Sequence, residues 1–391
     1  MSELLRIHGA ARAAHARREA MWLATVMRVH GSAYRHAGAR LLFTRDRVLA
    51  GSVSGGCLEA NILRKAPWLV RERSVCVRYE GGRDDDDDGE SPRGTGCDGA
   101  VDVLLERATF GAPGSVLDVL ETSLVQERRC ALVSVFESSD PRVPVGARLA
   151  LRESGELSAA GISGPAVGPL AKAAASALAE TRARARTLRT ESFQALLEVL
   201  EPPPHLFVFG SGPDALPLVQ FASALGLGVT VCDPQPRVAV RERFATLAEL
   251  HLGNPNGIAS KLRARRRALG VVMSHHYPTD SAALRLLLES PALYIGLLGP
   301  RRRSLRLLSE LFPSSSEQAA CALARLRSPI GLDLGAETPE QIALSIVAEI
   351  QAVLARASAR PLSECGAESI HRPESALELP FAAEFARTGT S

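Results

Sequence analysis

The sequence predicts an α/β protein whose second half is a parallel sheet flanked by helices and whose first part is a smaller α+β domain. Three observations predict it. The apolar run His205-Leu206-Phe207-Val208-Phe209 leads into Gly210-Ser211-Gly212-Pro213-Asp214-Ala215. A helical run follows through Leu216, Val219, Ala222 and Leu225, and then the apolar run Val229 to Cys232 ends in Asp233. Strand, G-x-G-x-x-A, helix, strand and an acid about 20 residues on is the Rossmann-type order, in which the glycines admit a pyrophosphate and the acid reaches a ribose hydroxyl. Second, apolar runs at Leu269–Ser274 and Leu293–Leu298 alternate with helical segments, as βα units require. Third, Glu201-Pro202-Pro203-Pro204 separates this half from what precedes, because consecutive prolines are extended and stop helices. The domain reading is therefore 1–110, a connecting segment and linker over 111–201, the Rossmann-like domain over 202–358, and a flexible tail over 359–391.

Taken in order, residues 1–20 read as a helix with Leu4, Ile7, His8, Ala11 and Ala14 on one side and histidines expected at the surface. Met21 to Val29 alternates like a strand, and Gly31-Ser32-Ala33-Tyr34-Arg35 follows as a turn. Arg35, His36 and Arg40 are candidate anion contacts. Leu41–Phe43 and Val48–Ala50 are short strands, and beyond them lies Gly51-Ser52-Val53-Ser54-Gly55-Gly56-Cys57-Leu58-Glu59. Leu58, Ile62, Ala66 and Leu69 then recur at helical spacing, so this stretch is a strand-to-helix corner. Its glycines and serines allow a tight turn that leaves amides free for a ligand. Cys57 is expected within the first helical turn, where the positive end of the helix favours a thiolate or a bound phosphate.

Val75–Tyr79 is a strand, Asp84 to Asp88 a solvated acidic loop, and Gly94-Thr95-Gly96-Cys97-Asp98-Gly99 a second glycine-rich turn carrying a cysteine. Should Cys57 and Cys97 face one cleft, a soft metal, a thiol-bearing cofactor or sulfur transfer fits the pair. From Gly111 to Glu201 the pattern weakens, with a hairpin at Ala131–Phe136 and Ala147–Leu151 and an amphipathic helix over Leu170–Arg186. In the second half, His275 lies in the loop 275–280 after a strand, where ligand crevices form, and Asp280 reads as the cap of a helix over Ser281–Leu288. Arg301-Arg302-Arg303 follows another strand end. Thr338-Pro339-Glu340-Gln341 carries three agreeing helix-start signals, and Ile342, Ile346, Val347, Ile350 and Leu354 give that helix an apolar face. The face serves either a homodimer or its own domain.

Composition narrows the class of function. A net charge of +3, from 46 basic and 43 acidic residues, gives no argument for a nucleic-acid partner. Neither an 18-residue apolar run nor a signal-peptide pattern is present, so a cytoplasmic protein with no membrane partner is expected. Seven scattered cysteines without a C-x-x-C pair argue against a disulfide framework or structural zinc.

Gly31-Ser32-Ala33, Gly51 to Glu59, Gly94 to Gly99, Gly210 to Ala215, Ser274-His275 with Asp280, Tyr294 to Arg303 and Pro329 to Ile350 together resemble the XdhC/CoxI family, accessory proteins of molybdenum hydroxylases. The sequence departs from that pattern in Tyr34, in Ser274, in the penta-aspartate stretch and in its long middle segment. The resemblance implies a non-enzymatic chaperone that binds molybdenum cofactor (molybdopterin), supports its sulfuration with a cysteine desulfurase, and delivers it to an apo hydroxylase of the xanthine dehydrogenase type. The cofactor-binding candidates are Ser54, Gly55, Gly56, Cys57, Glu59, Cys97, Gly210, Gly212, Asp233 and His275, with Cys57 as the molybdenum contact. The competing reading is an NAD(P)-dependent oxidoreductase built on Gly210, Gly212 and Asp233, with His275 as its general acid. Against it, Pro213 removes one amide where a pyrophosphate is normally held.

Overall fold

The computed structural model describes residues 3–31, 33–56, 58–71, 73–80, 99–112, 114–180, 185–235, 238–365 and 375–379. Cys57, Cys97 and the Asp84–Asp88 stretch lie outside these residues. The chain divides into two units at Glu201/Pro202, the first taking in residues 3–201 with 366–391 and the second 202–365.

The first unit begins with α1 (Glu3–Ala16), β1 (Met21–His30), β2 (Arg40–Phe43), β3 (Val48–Gly51), α2 (Glu59–Leu69), β4 (Val75–Glu80) and β5 (Ala100–Ala108). Its five strands form an antiparallel sheet in the order β3-β2-β1-β5-β4. Because side chains alternate across a strand, Trp22, Ala24 and Val26 of β1 meet Ile62 and Ala66 of α2 on one face. Met21 and Leu23 meet Ile7, Ala11 and Ala14 of α1 on the other. Both faces are covered, so Met21 to Met27 are all buried, where the alternation in the sequence predicts only every second residue. His8 corrects an expectation: it is buried among these residues and meets Phe110 edge-on at 6.0 Å.

Residues 111–201, expected as a connecting segment, fold as α3 (Val116–Leu124), β6 (Cys130–Ser138), β7 (Arg148–Arg152), β8 (Leu157–Ala160), α4 (Val167–Ala179), β9 (Arg186–Arg189) and β10 (Phe193–Leu200). They make a second sheet, in the order β9-β10-β6-β7-β8, and Ser375–Glu378 pairs parallel to β9 at its edge. That strand lies in the stretch expected as a flexible tail. The amphipathic helix expected to reach Arg186 ends at Ala179. Arginine–carboxylate pairs link the two sheets. Arg40 is buried against Glu198, so it is an internal cation and not the anion contact its sequence position suggests. Arg148 donates across to Glu106 at 2.5 Å, while Arg28 holds Asp102 of its own sheet at 2.7 Å and reaches Gln194 of the other at 2.7 Å. A cavity of about 80 Å³ beside Glu106 and Arg148 is far smaller than the ~300 Å³ at which ligand clefts begin.

The second unit comprises β11 (His205–Phe209), α5 (Ala215–Ala224), β12 (Gly228–Asp233), α6 (Val238–Phe244), β13 (Glu249–Leu252), α7 (Ala259–Ala264), β14 (Ala268–Val272), α8 (Tyr277–Leu288), β15 (Tyr294–Leu297), α9 (Arg301–Leu311), α10 (Ser316–Arg325), β16 (Leu326–Arg327) and α11 (Pro339–Ala355). The strands are all parallel, in the order β13-β12-β11-β14-β15-β16. Leu206 and Val208 of β11 pack with Leu218, Val219, Ile346 and Ile350 of α5 and α11. Phe207 and Phe209 pack with Leu284 and Leu287 of α8 and Leu307 and Leu308 of α9. The chain leaving β11 therefore turns to one face and the chain leaving β14 to the other. Between those two strand ends lies the switch point where doubly wound sheets hold ligands. α11 begins as its sequence requires, with Thr338 and Gln341 in a reciprocal capping box and Pro339 at the first helical position.

Candidate functional site

In the first unit the corner between β3 and α2 is built around a carboxylate. Gly51 takes a positive φ of +85°, and a Cβ there would stand 2.1 Å from the Arg40 carbonyl oxygen, so only glycine fits. Beyond it the chain wraps around Glu59 in the first turn of α2. Glu59 Oε1 accepts from the Val53 amide at 3.1 Å, the Ser54 amide at 3.0 Å and the Ser52 hydroxyl at 2.8 Å, while Oε2 accepts from the Ser54 hydroxyl. Ser54 Oγ in turn accepts from the amides of Gly56 at 3.2 Å and Leu58 at 3.1 Å. Burial works to raise the Glu59 carboxyl, but the hydrogen bonds from Ser54 and Ser52 outweigh it and hold the group below the usual carboxylate range.

This arrangement corrects the expectation of a loop with free amides. The turn does gather backbone donors, as anion nests do, but an internal carboxylate already fills it. Glu59 and Ser54 are therefore the framework of the corner. What the loop presents outward is Gly55 and Gly56, both exposed, with Tyr34 lying over Gly55. From the other side Glu3 of α1 fastens the loop, accepting from the Ser52 amide at 3.2 Å and from Arg35.

In the second unit the four sequence candidates converge at the carboxyl edge of the sheet. Phe209 of β11 is level with Cys232 of β12 and Val272 of β14, so Gly210, Asp233 and Met273 occupy the next row. Gly210 has φ +135°, and a Cβ on it would come within 2.6 Å of the Met273 carbonyl oxygen and 2.8 Å of the Ser274 amide nitrogen. The β11 and β14 exits thus pass each other with no room for a side chain. Asp233 is buried and turned inward, accepting from the Ser211 hydroxyl and from the Gln235 amide at 2.7 Å.

Across the switch point His275 Nε2 lies 2.8 Å from Asp214 Oδ2. His275 holds a left-handed backbone, φ +59°, unusual for a side-chain-bearing residue and concentrated at functional sites. Asp280 does not cap a helix starting at Ser281, because α8 already begins at Tyr277. Instead its buried carboxylate accepts from the Ser274 hydroxyl at 2.5 Å and the Ser274 amide at 3.2 Å, and pairs with Arg303 at 2.6 Å. This fixes the segment from which His275 projects. One of the three consecutive arginines is thereby an internal partner, while Arg301 and Arg302 remain exposed. Residues 329–336 are fastened to α11 and β15. Glu349 accepts from the Tyr294 hydroxyl at 2.6 Å and the Gly331 amide at 2.9 Å, and Ile330 fills the space that Gly296 leaves.

Gly210, Gly212, Asp233 and His275 are named by the sequence as candidates at this edge; Asp214, which the structure places against His275, is not. An acid inside a G-x-G-x-x-A turn, next to a proline, is the available signal. The described residues hold no group of three or more His, Cys, Asp or Glu placed to bind a metal ion. None of their helices is long and apolar enough to cross a membrane.

Comparison with known proteins agrees with both halves. The profile of the XdhC and CoxI family matches residues 14–80, and that of the XdhC Rossmann domain matches residues 206–350. A protein of Bacillus subtilis (strain 168), named as a probable subunit of xanthine dehydrogenase, is 31% identical over 333 residues, which is 84% of this chain and 91% of that one. The uncharacterized protein YqeB of Escherichia coli (strain K12) is 30% identical over 148 residues, 38% of this chain but 27% of its own length. A crystal structure described as a xanthine dehydrogenase from Bacillus halodurans superposes with a TM-score of 0.70 at 26% identity, covering 95% of this chain and 99% of that one.

Proposed function

The chain belongs to the XdhC and CoxI family, and from that premise we propose that it is a cytoplasmic accessory factor that holds molybdenum cofactor as cargo and passes it to an apo hydroxylase of the xanthine dehydrogenase type. The observation that carries the reading is the match to a protein named as part of a xanthine dehydrogenase, which extends over 84% of the chain and so over both units.

The geometry supports a holding role in preference to a catalytic one. In the corner 51–59 the Val53, Ser54, Gly56 and Leu58 amides are already engaged by Glu59 and Ser54, so the loop is held by its own groups. It offers the exposed glycines at its tip, and the next residue in sequence, Cys57, supplies a soft thiolate for molybdenum or its sulfur ligand. Gly55 and Gly56 leave that tip without side chains, so a bulky cofactor approaches closely. Cys97 stands as a second thiol, and a cysteine desulfurase as the sulfur source while the cofactor is held.

Purification from cells that make molybdenum cofactor tests the proposal. The expected result is stoichiometric pterin and molybdenum on the wild-type protein, loss of most of it in Cys57→Ala with an unchanged melting temperature, and activation of an apo hydroxylase by the loaded protein alone. A folded Cys57→Ala that retains its cofactor, or a wild-type protein that carries none, overturns it.

A further inference from the structure

A Rossmann unit implies a dinucleotide, and the residues at this switch point do not fit one. In that role the second glycine of the turn lets the pyrophosphate approach the backbone, the amides beyond it donate, and the acid ending the second strand accepts from a ribose hydroxyl. Here each of the three provisions is withdrawn. The residue after Gly212 is Pro213, which has no amide proton. The space over Gly212 is taken by the Asp214 carboxylate, whose Oδ1 would stand 2.4 Å from a Cβ on that glycine. Asp214 is also the residue from which α5 starts, so a fixed negative charge meets the positive helix end that would otherwise attract a phosphate. Asp233 is buried, with one carboxylate oxygen accepting from Ser211 and the other from Gln235, so it is turned away from a ribose.

What remains open is an acceptor. The Asp214 side chain is 23% exposed and pairs with His275, whose own side chain is 59% exposed. Beside those contacts with His275 and Gly212 each carboxylate oxygen keeps a further lone pair, and together they match a ligand edge that carries two parallel N–H donors. The 2-amino-4-oxo-pyrimidine ring of a pterin has that edge and no charge to be repelled. We infer that the crevice between the β11 and β14 exits is a dinucleotide fold that excludes a diphosphate and takes the amino-oxo edge of a pterin on Asp214, with His275 positioning the carboxylate. The inference rests on the proposed cofactor-handling role and assigns the second unit a share in it.

The test uses the full chain purified from cells that make no molybdenum cofactor. It is titrated with NADH, NADPH and 6-hydroxymethylpterin, followed by fluorescence. The expected result is saturable binding of the pterin, no saturable binding of either dinucleotide up to about 1 mM, and at least a ~10-fold loss of pterin affinity in the isosteric Asp214→Asn, because an amide nitrogen then faces the ligand's donors. Retained far-ultraviolet circular dichroism and melting temperature in the variant exclude misfolding as the cause. Tight NADH or NADPH binding that Asp233→Ala abolishes overturns the inference, and so does a pterin that binds wild type and Asp214→Asn equally. Its failure separates from that of the proposed function. Equal cofactor content in wild type and Asp214→Asn from cofactor-producing cells overturns the inference alone. A wild-type protein that carries none in those cells, yet binds free pterin through Asp214, overturns the proposed function alone.

Discussion

Residues 51–59 and 210–214 are both glycine-rich corners between a strand and a helix, and in both a carboxylate stands where an incoming anion is expected. They differ in who the carboxylate serves. Glu59 accepts from four donors of its own loop, two amides and two hydroxyls. Asp214 meets an imidazole projected from a neighbouring loop and keeps part of its surface open. The first corner is closed on itself and presents its tip; the second is held ajar between two strand exits. Glycine-rich sequence is thus a statement about backbone freedom, not about whether the amides it frees are available.

The sharpest way to break this contrast is at the glycines. Gly51→Ala drives a Cβ against the Arg40 carbonyl, and a cost of about 3 kcal/mol is expected from clash and left-handed strain together. Gly56→Ala has open space around it, and only its φ of +116° resists the change, so about 1 kcal/mol is expected. Urea denaturation of the two variants measures the difference, and equal losses would show that the 51–56 turn is not anchored on β2.

Removing the two carboxylates comes next. Glu59→Ala strands the Val53 and Ser54 amides, and a loss of about 2 kcal/mol in unfolding free energy is expected. Asp214→Ala gives up one partly exposed pair, so about 0.5 kcal/mol or less is expected. If the two losses match in thermal melts, the first corner is as open as the second.

The smallest effect is with pH. The folded Glu59 carboxyl lies below its ordinary value, so the stability it contributes is complete above the unfolded pKa, near ~4.3, and is lost as pH falls through the folded pKa. Melting temperatures followed from about pH 6 down to about pH 3 should fall more steeply for wild type than for Glu59→Gln. Coincident slopes would remove Glu59 from the list of titrating supports.

The Rossmann half is legible because its central strand is covered on both faces. Leu206 and Val208 serve one core and Phe207 and Phe209 the other, so the strand stands out in the sequence as a continuous apolar run. The capping box at Thr338 is equally plain, being a local hydrogen-bond exchange between neighbours in the chain. The second sheet of the first unit is hidden for the opposite reason. β10 carries polar residues whose partners lie in the other sheet, as Gln194 finds Arg28 and Glu198 finds Arg40 over 158 residues of sequence. Buried ion pairs look like surface charge until both partners are placed. The occupancy of the 51–59 corner is hidden likewise, since nothing local reveals that Glu59 folds back over the residues before it.

The strand Ser375–Glu378 gives the molecule an order of assembly. It pairs in register with Arg186–Arg189 at the edge of a sheet that belongs to the first unit, although the whole of the second unit intervenes in the chain. During synthesis, β9 must wait with one row of backbone donors and acceptors unpaired until the ribosome has passed residue 378. Unpaired edges of that kind recruit other chains. The first half of the protein is therefore made first but finished last, and a chain cut after residue 358 is expected to be more prone to self-association than the intact one.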